Sequence, residues 1–146
     1  MNILGPVVAL IAWTMLIMVY LYVIRIPAMK KAGIDLKNLT GSKPGQLDTI
    51  LDPKAQWPAH NYMHLVEQPT VFYAVVFALV LLHAGGGWNP ILAWAYVGLR
   101  VVHSIVQITT NRIQHRFMLF SLSSIVLIAL SVQAVRAAIN MGAFAF

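Results

Sequence analysis

Two side chains stand where an apolar stretch should carry no charge. Glu67 lies about two turns into one long apolar run and Arg100 near the middle of another. A charge in a bilayer core costs from about 2.5 to above 10 kcal/mol depending on the measure, so such groups are paired and usually mark function. Helical periodicity gathers further polar residues around each of them. Tyr96, Arg100, His103, Gln107 and Asn111 share one face of the third run, and His60, His64 and Glu67 share one face of the second, flanked by Asn61 and Gln68. Two readings of these stripes stand side by side. In one, Glu67 and Arg100 neutralise each other between packed helices and fix their register. In the other, the stripes line a polar cleft whose mouth is closed by Arg112 and Arg116, residues in line with the Arg100 stripe.

Other groupings carry less. The spacing His60-x3-His64 with Glu67 one turn on suits a metal on one helix face. The chain has only five histidines, with His83 at the far end of its span, so these residues read as hydrogen-bonding groups and no metal is expected. Arg112, His115 and Arg116 also have a plain use as the basic anchor of a short link. Met15, Met18, Met63 and Met118 read as packing. Tyr20, Tyr22, Trp57, Tyr62, Trp88 and Trp94, near the ends of runs, suit interfacial belts.

The elements that must position these residues are set by composition. Of the 146 residues, 60% are hydrophobic and 10% charged, against roughly 45–50% and about 25% in a soluble domain, and the mean hydropathy is +0.76. Four runs, at about 3–26, 61–83, 91–110 and 117–135, each approach the roughly 20 residues that a membrane-spanning helix needs. They predict an all-α, four-helix integral membrane bundle that fills residues 1–146 as one domain and leaves no room for a second. The runs are continuous, which excludes β-barrel alternation. The first lacks a basic leader and a small-residue cleavage site, so it reads as a span. Between the first two runs, residues 27–60 form a polar connection with space for a short interfacial helix. Gly85-Gly86-Gly87-Trp88-Asn89-Pro90 is an uncharged turn, Asn111 to Arg116 a short basic link, and Arg136 to Phe146 a weakly polar, interfacial tail.

With no cysteine there is no disulfide framework and no catalytic thiol. The net charge of +6 suits membrane orientation and an anionic ligand, and nucleic acid is not an expected partner. The first and third connections hold nearly all the lysine and arginine, so both are expected on the cytoplasmic side with the termini on the opposite side. The membrane is the inner one for a bacterial source and the endoplasmic reticulum for a eukaryotic one.

His60-Asn61-Tyr62-Met63-His64-Leu65-Val66-Glu67, and Arg100-Val101-Val102-His103-Ser104-Ile105-Val106-Gln107 leading to Arg112 and Arg116, resemble the motifs of the MAPEG family, the membrane-associated proteins of eicosanoid and glutathione metabolism. The resemblance covers most of the chain. It implies a homotrimer of four-helix protomers, with glutathione in a polar cleft between neighbouring subunits near the cytoplasmic side. It also implies that Arg100, Arg112 and Arg116 take the glutathione carboxylates and Glu67 its amine. Arg116 or Arg112 would hold the thiolate, because a nearby guanidinium favours the charged sulfur. Arg25 at the end of the first span joins the site by the same likeness, and His60, Asn61, His64, Tyr96, His103 and Gln107 line it. Certain positions depart from the family pattern. His60 and His64 stand where many members have arginine and asparagine, Gln68 where an aromatic is usual, and Gln107 where a tyrosine is common. Pro69 also follows the glutamate more closely.

The implied activity is a glutathione transferase or peroxidase acting on hydrophobic electrophiles, the protein supplying orientation and electrostatic stabilisation. A second reading is a non-catalytic relative that binds a lipid or lipophilic ligand between subunits. A third is a small proton- or ion-coupled carrier using Glu67, His64 and His103 as a relay.

Overall fold

The computed structural model describes residues 2–35, 45, 47 and 49–143. They form four helices: α1 (Leu4–Lys31), α2 (Pro53–Leu81), α3 (Asn89–Thr109) and α4 (Ile113–Asn140). All four are long and apolar enough to cross a membrane. No strand occurs among the described residues.

The helices outrun the apolar stretches that foretell them. Helix α2 starts at Pro53 instead of near 61, since Asp52 caps it by accepting the Lys54 backbone N–H at 2.8 Å and Pro53 sits in the first turn, where its missing N–H is not needed. The added turns bury Ala55, Gln56, Pro58 and Ala59. Both ends of the polar connection are thus helix, and about half of the stretch between them, where the interfacial helix was expected, falls outside the described residues. Helix α1 continues through Pro27 to Lys31. It stops at Gly33, whose φ of +71° lets its N–H reach Lys30 O and the next N–H reach Met29 O. His83 makes the same stop after α2 at φ +53°, a conformation few side chains accept.

Two further expectations are corrected at α4. The basic link shrinks to Thr110, Asn111 and Arg112, so Arg116 lies on the helix itself, and the tail stays helical through Arg136 to Asn140. The terminal phenylalanines lie outside the described residues. Local capping decides such ends, and it continues helices beyond the point where hydropathy falls.

Helices α2 and α3 form the centre. Helix α1 packs on both from one flank and α4 on both from the other. The outer surface is apolar, with Val8, Leu16, Val23, Leu81, Ile125 and Ile128 among its exposed side chains, while Asn61, Arg100, His103, Ser104, Gln107 and Ser123 are buried. This inverts the pattern of a soluble protein and suits a lipid solvent, in which polar groups must find partners inside. Helix α3 is the most segregated: Tyr96, Arg100, His103 and Gln107 point inward, while Trp94, Val102 and Ile105 point outward.

Candidate functional site

The centre of the site is His64. Arg100, 1% exposed, donates from Nη2 to the His64 backbone carbonyl at 2.5 Å. Glu67, with its side chain 61% exposed, places Oε2 3.5 Å from His64 Nδ1. Arg116 Nη2 lies 3.4 Å from His64 Nε2. This arrangement fits one neutral tautomer, with Nδ1–H facing the carboxylate and the Nε2 lone pair facing the guanidinium. Glu67 and Arg100 therefore do not form the pair that one sequence reading supplies; each is turned on a different part of His64.

Arg116 is fixed from its own side of the cleft as well. Asn111 ends α3 at φ +50°, with its N–H on Val106 O at 2.8 Å, and its Oδ1 accepts Arg116 Nη1 at 2.7 Å. Asparagine is among the few residues besides glycine that accept this left-handed backbone, and unlike glycine it brings an acceptor. Arg116 Nε and Arg100 Nε and Nη1 are buried and find no hydrogen-bond partner among the described residues. The Arg100 guanidinium lies 5.5 Å from the Phe120 ring centroid, a cation–π contact that compensates part of its burial.

His64, His103 and Arg116, with Ile113, Phe117 and Phe120, enclose an open cleft of about 260 Å³. The imidazoles of His64 and His103 meet edge to face at 6.0 Å. Helices α2 and α3 thus supply the two imidazoles, while α4 sets the Arg116 guanidinium among apolar and aromatic side chains, an arrangement suited to an anionic or polarisable group beside a lipophilic one. Among the described residues no cluster of histidine and carboxylate side chains suits a metal ion.

The other sequence candidates lie around this cleft or away from it. Tyr96 stacks on Phe72 at 4.5 Å and donates at 3.4 Å to Gln68, whose amide donates at 2.8 Å to Ser124, tying α3, α2 and α4 together below Arg100. Asn61 is turned away. Its Nδ2 donates to Ser104 Oγ at 2.6 Å, and Trp13 Nε1 donates to the same oxygen at 2.9 Å, so it serves the α1–α2–α3 packing. Gln107 is 1% exposed, and neither atom of its amide finds a partner among the described residues. His60 lies one turn before His64 and outside the cleft lining. Arg25 is on α1, which contributes nothing to the lining. Arg112 is exposed in extended backbone before α4 and does not line the cleft that it was expected to close.

Sequence reasoning passed over Phe117, Phe120, Ser104 and Ser124. Phe120 had a usable signal, being one turn from Arg116 on the same helix face. Ser104 and Ser124 had none, since a serine in a spanning helix is unremarkable until its partners are known.

A model of the MAPEG family matches residues 3–136. No curated protein and no solved structure matches the chain. Four spanning helices together with a family match over nearly the whole sequence establish that the chain belongs to the MAPEG family and is a multi-pass integral membrane protein.

Proposed function

We propose that the protein is a glutathione-dependent transferase or peroxidase that acts on hydrophobic electrophiles within the bilayer. The observation that carries this reading is the Arg116 guanidinium, held by Asn111 and His64 in a cleft where Ile113, Phe117 and Phe120 flank it on the same face of α4. Glutathione would supply a nucleophilic sulfur. Arg116, whose Nε–H has no partner among the described residues, stabilises negative charge on a sulfur placed beside it, and the aromatic side chains receive the lipophilic partner.

The residue types fit glutathione. Its two carboxylates and one ammonium ask for cations and a carboxylate: Arg116 lines the cleft, and Arg100 and Glu67 stand against His64 outside the lining, Arg100 buried and Glu67 exposed. Its size asks for more, because about 260 Å³ falls short of the roughly 300–1,000 Å³ of usual ligand sites. Glu67, exposed on a spanning helix, also needs cover from lipid. A second copy of the chain against this face meets both needs, in accord with the homotrimer that the family resemblance implies. With the basic ends of the helices in the cytoplasm, glutathione would enter from the side where Arg112 and Arg116 lie.

The test is calorimetric titration of glutathione into the detergent-purified protein, its Arg116→Ala variant and its Glu67→Gln variant. Saturable binding weakened by both changes is expected. No heat at millimolar glutathione, in protein that remains folded, overturns the reading. The aromatic side chains of the cleft favour the second reading in that event, a non-catalytic protein holding a lipid or lipophilic ligand between subunits.

A further inference from the structure

A larger cavity, about 530 Å³, lies apart from the His64 cleft, walled by the last turns of α1, the start of α2 and the end of α3. The two share no lining residue among the described residues. Its lining changes character with depth. Tyr20 and Lys31 both line it and stand about 16 Å apart along α1 at about 1.5 Å per residue. Between them Ile24 and Ala28 continue the same face at helical spacing, and Ile108 of α3 adds a further apolar side chain. At the Lys31 end, α2 brings Lys54 and Trp57.

Charge is confined to the rim. Neither lysine ammonium is paired with a carboxylate among the described residues. Asp52 also lines the rim, its carboxylate accepting at the N-cap of α2, so the described lining residues carry two positive charges against one negative. A charged rim above an apolar shaft, along a helix long enough to span the bilayer, matches an amphiphile more closely than a soluble anion. Lysine stems lie along apolar surface with their ammonium groups at headgroup depth, and an indole such as that of Trp57 favours the same depth.

We propose that this cavity is a binding site for an anionic phospholipid, its phosphate between Lys31 and Lys54 and an acyl chain running along Ile24 toward Tyr20. Inorganic phosphate or a soluble phosphate ester shares the rim chemistry but leaves the shaft unused. The shaft is what assigns the site to lipid.

The test is native mass spectrometry of the delipidated full-length protein in detergent, titrated with phosphatidylglycerol or with phosphatidylcholine of the same acyl chains. Preferential retention of phosphatidylglycerol is expected. Each lysine beside an anionic headgroup contributes about fivefold, so Lys31→Ala with Lys54→Ala weakens binding by about 30-fold. Lys30→Ala, which removes a neighbouring charge that does not line the cavity, leaves it within about twofold. Ala28→Trp fills the shaft with both lysines intact and displaces the lipid. Equal retention of the two lipids, an equal loss in Lys30→Ala, or unchanged binding in Ala28→Trp overturns the proposal. Displacement of the lipid by millimolar inorganic phosphate overturns it in favour of a small-anion site.

Discussion

The two halves of the interior are built on opposite rules. Toward the glycine-rich turn, Val7, Leu10, Phe72, Val76, Leu79, Ala93 and Leu130 pack as an apolar core, and Asn89 Oδ1 is the one buried side-chain atom there that lacks a partner among the described residues. Toward the basic end the core is Arg100, His103, Gln107 and Asn61, and partnerless atoms gather on Arg100, Gln107, Asn61 and Arg116. Buried polar groups without partners cost about 1–3 kcal/mol each. The basic half therefore stands below its best attainable stability, as the proposed glutathione site would require, while the glycine-rich half carries the packing that holds the bundle together.

Substitutions can break or sharpen this contrast. The largest effect is expected in the apolar half. Phe72→Ala removes a fully buried ring that stacks on Tyr96 and should lower stability by about 3–5 kcal/mol, read by thermal unfolding in detergent. A loss below about 1 kcal/mol would mean that this half is not the structural anchor.

Arg116→Ala in the basic half should leave unfolding nearly unchanged and weaken glutathione binding by about 10- to 150-fold, the worth of a charged hydrogen bond. Calorimetry checks the affinity, and a large fall in melting temperature instead would recast Arg116 as structural. A smaller change is expected at Asn111, whose role is to hold Arg116. Asn111→Gly keeps the left-handed backbone and deletes only the acceptor, so glutathione affinity should fall by about 3- to 10-fold. Asn111→Asp should restore it. Equal affinity in all three forms would remove Asn111 from the site.

The smallest expected effect has the opposite sign. Gln107→Leu replaces an amide with no partner among the described residues by an apolar side chain of similar size, and should raise stability by up to about 1 kcal/mol. If glutathione affinity drops as stability rises, Gln107 is retained for the ligand. If unfolding shifts downward, the amide has a structural partner and the contrast between the halves is weakened.

Much of this architecture was legible in advance. The four spans and the polar stripe of α3 follow from hydropathy and helical period, because both depend on near neighbours in the chain. The helix ends were legible only in part. Asp52 with Pro53 is a recognisable start signal, yet the change to polar composition masked it, and α2 gained two turns. At the site, Arg100, His103, His64 and Arg116 come together as their spacing suggested, whereas Arg112, also in line with the stripe, falls outside because α4 begins directly after it. Asn61 flanks the His60–His64–Glu67 stripe, about 100° round the helix from His60, and is turned to Ser104, which Trp13 also bonds.

The amino-acid sequence by itself determined that the chain crosses a membrane as four helices, that polar residues turn inward, and to which family it belongs. Each of these is a local property or a sum of local properties, enforced by a solvent that satisfies no backbone hydrogen bond. Only the tertiary structure decided which polar groups meet. Glu67 and Arg100 both turn on His64 and not on each other, Asn111 holds Arg116, and Phe120 lies beside the Arg100 guanidinium. Those contacts depend on how each helix rotates and crosses its neighbours, and that is set by the packing of the whole bundle, where a shift of one residue in register would turn a side chain from the cleft toward the lipid.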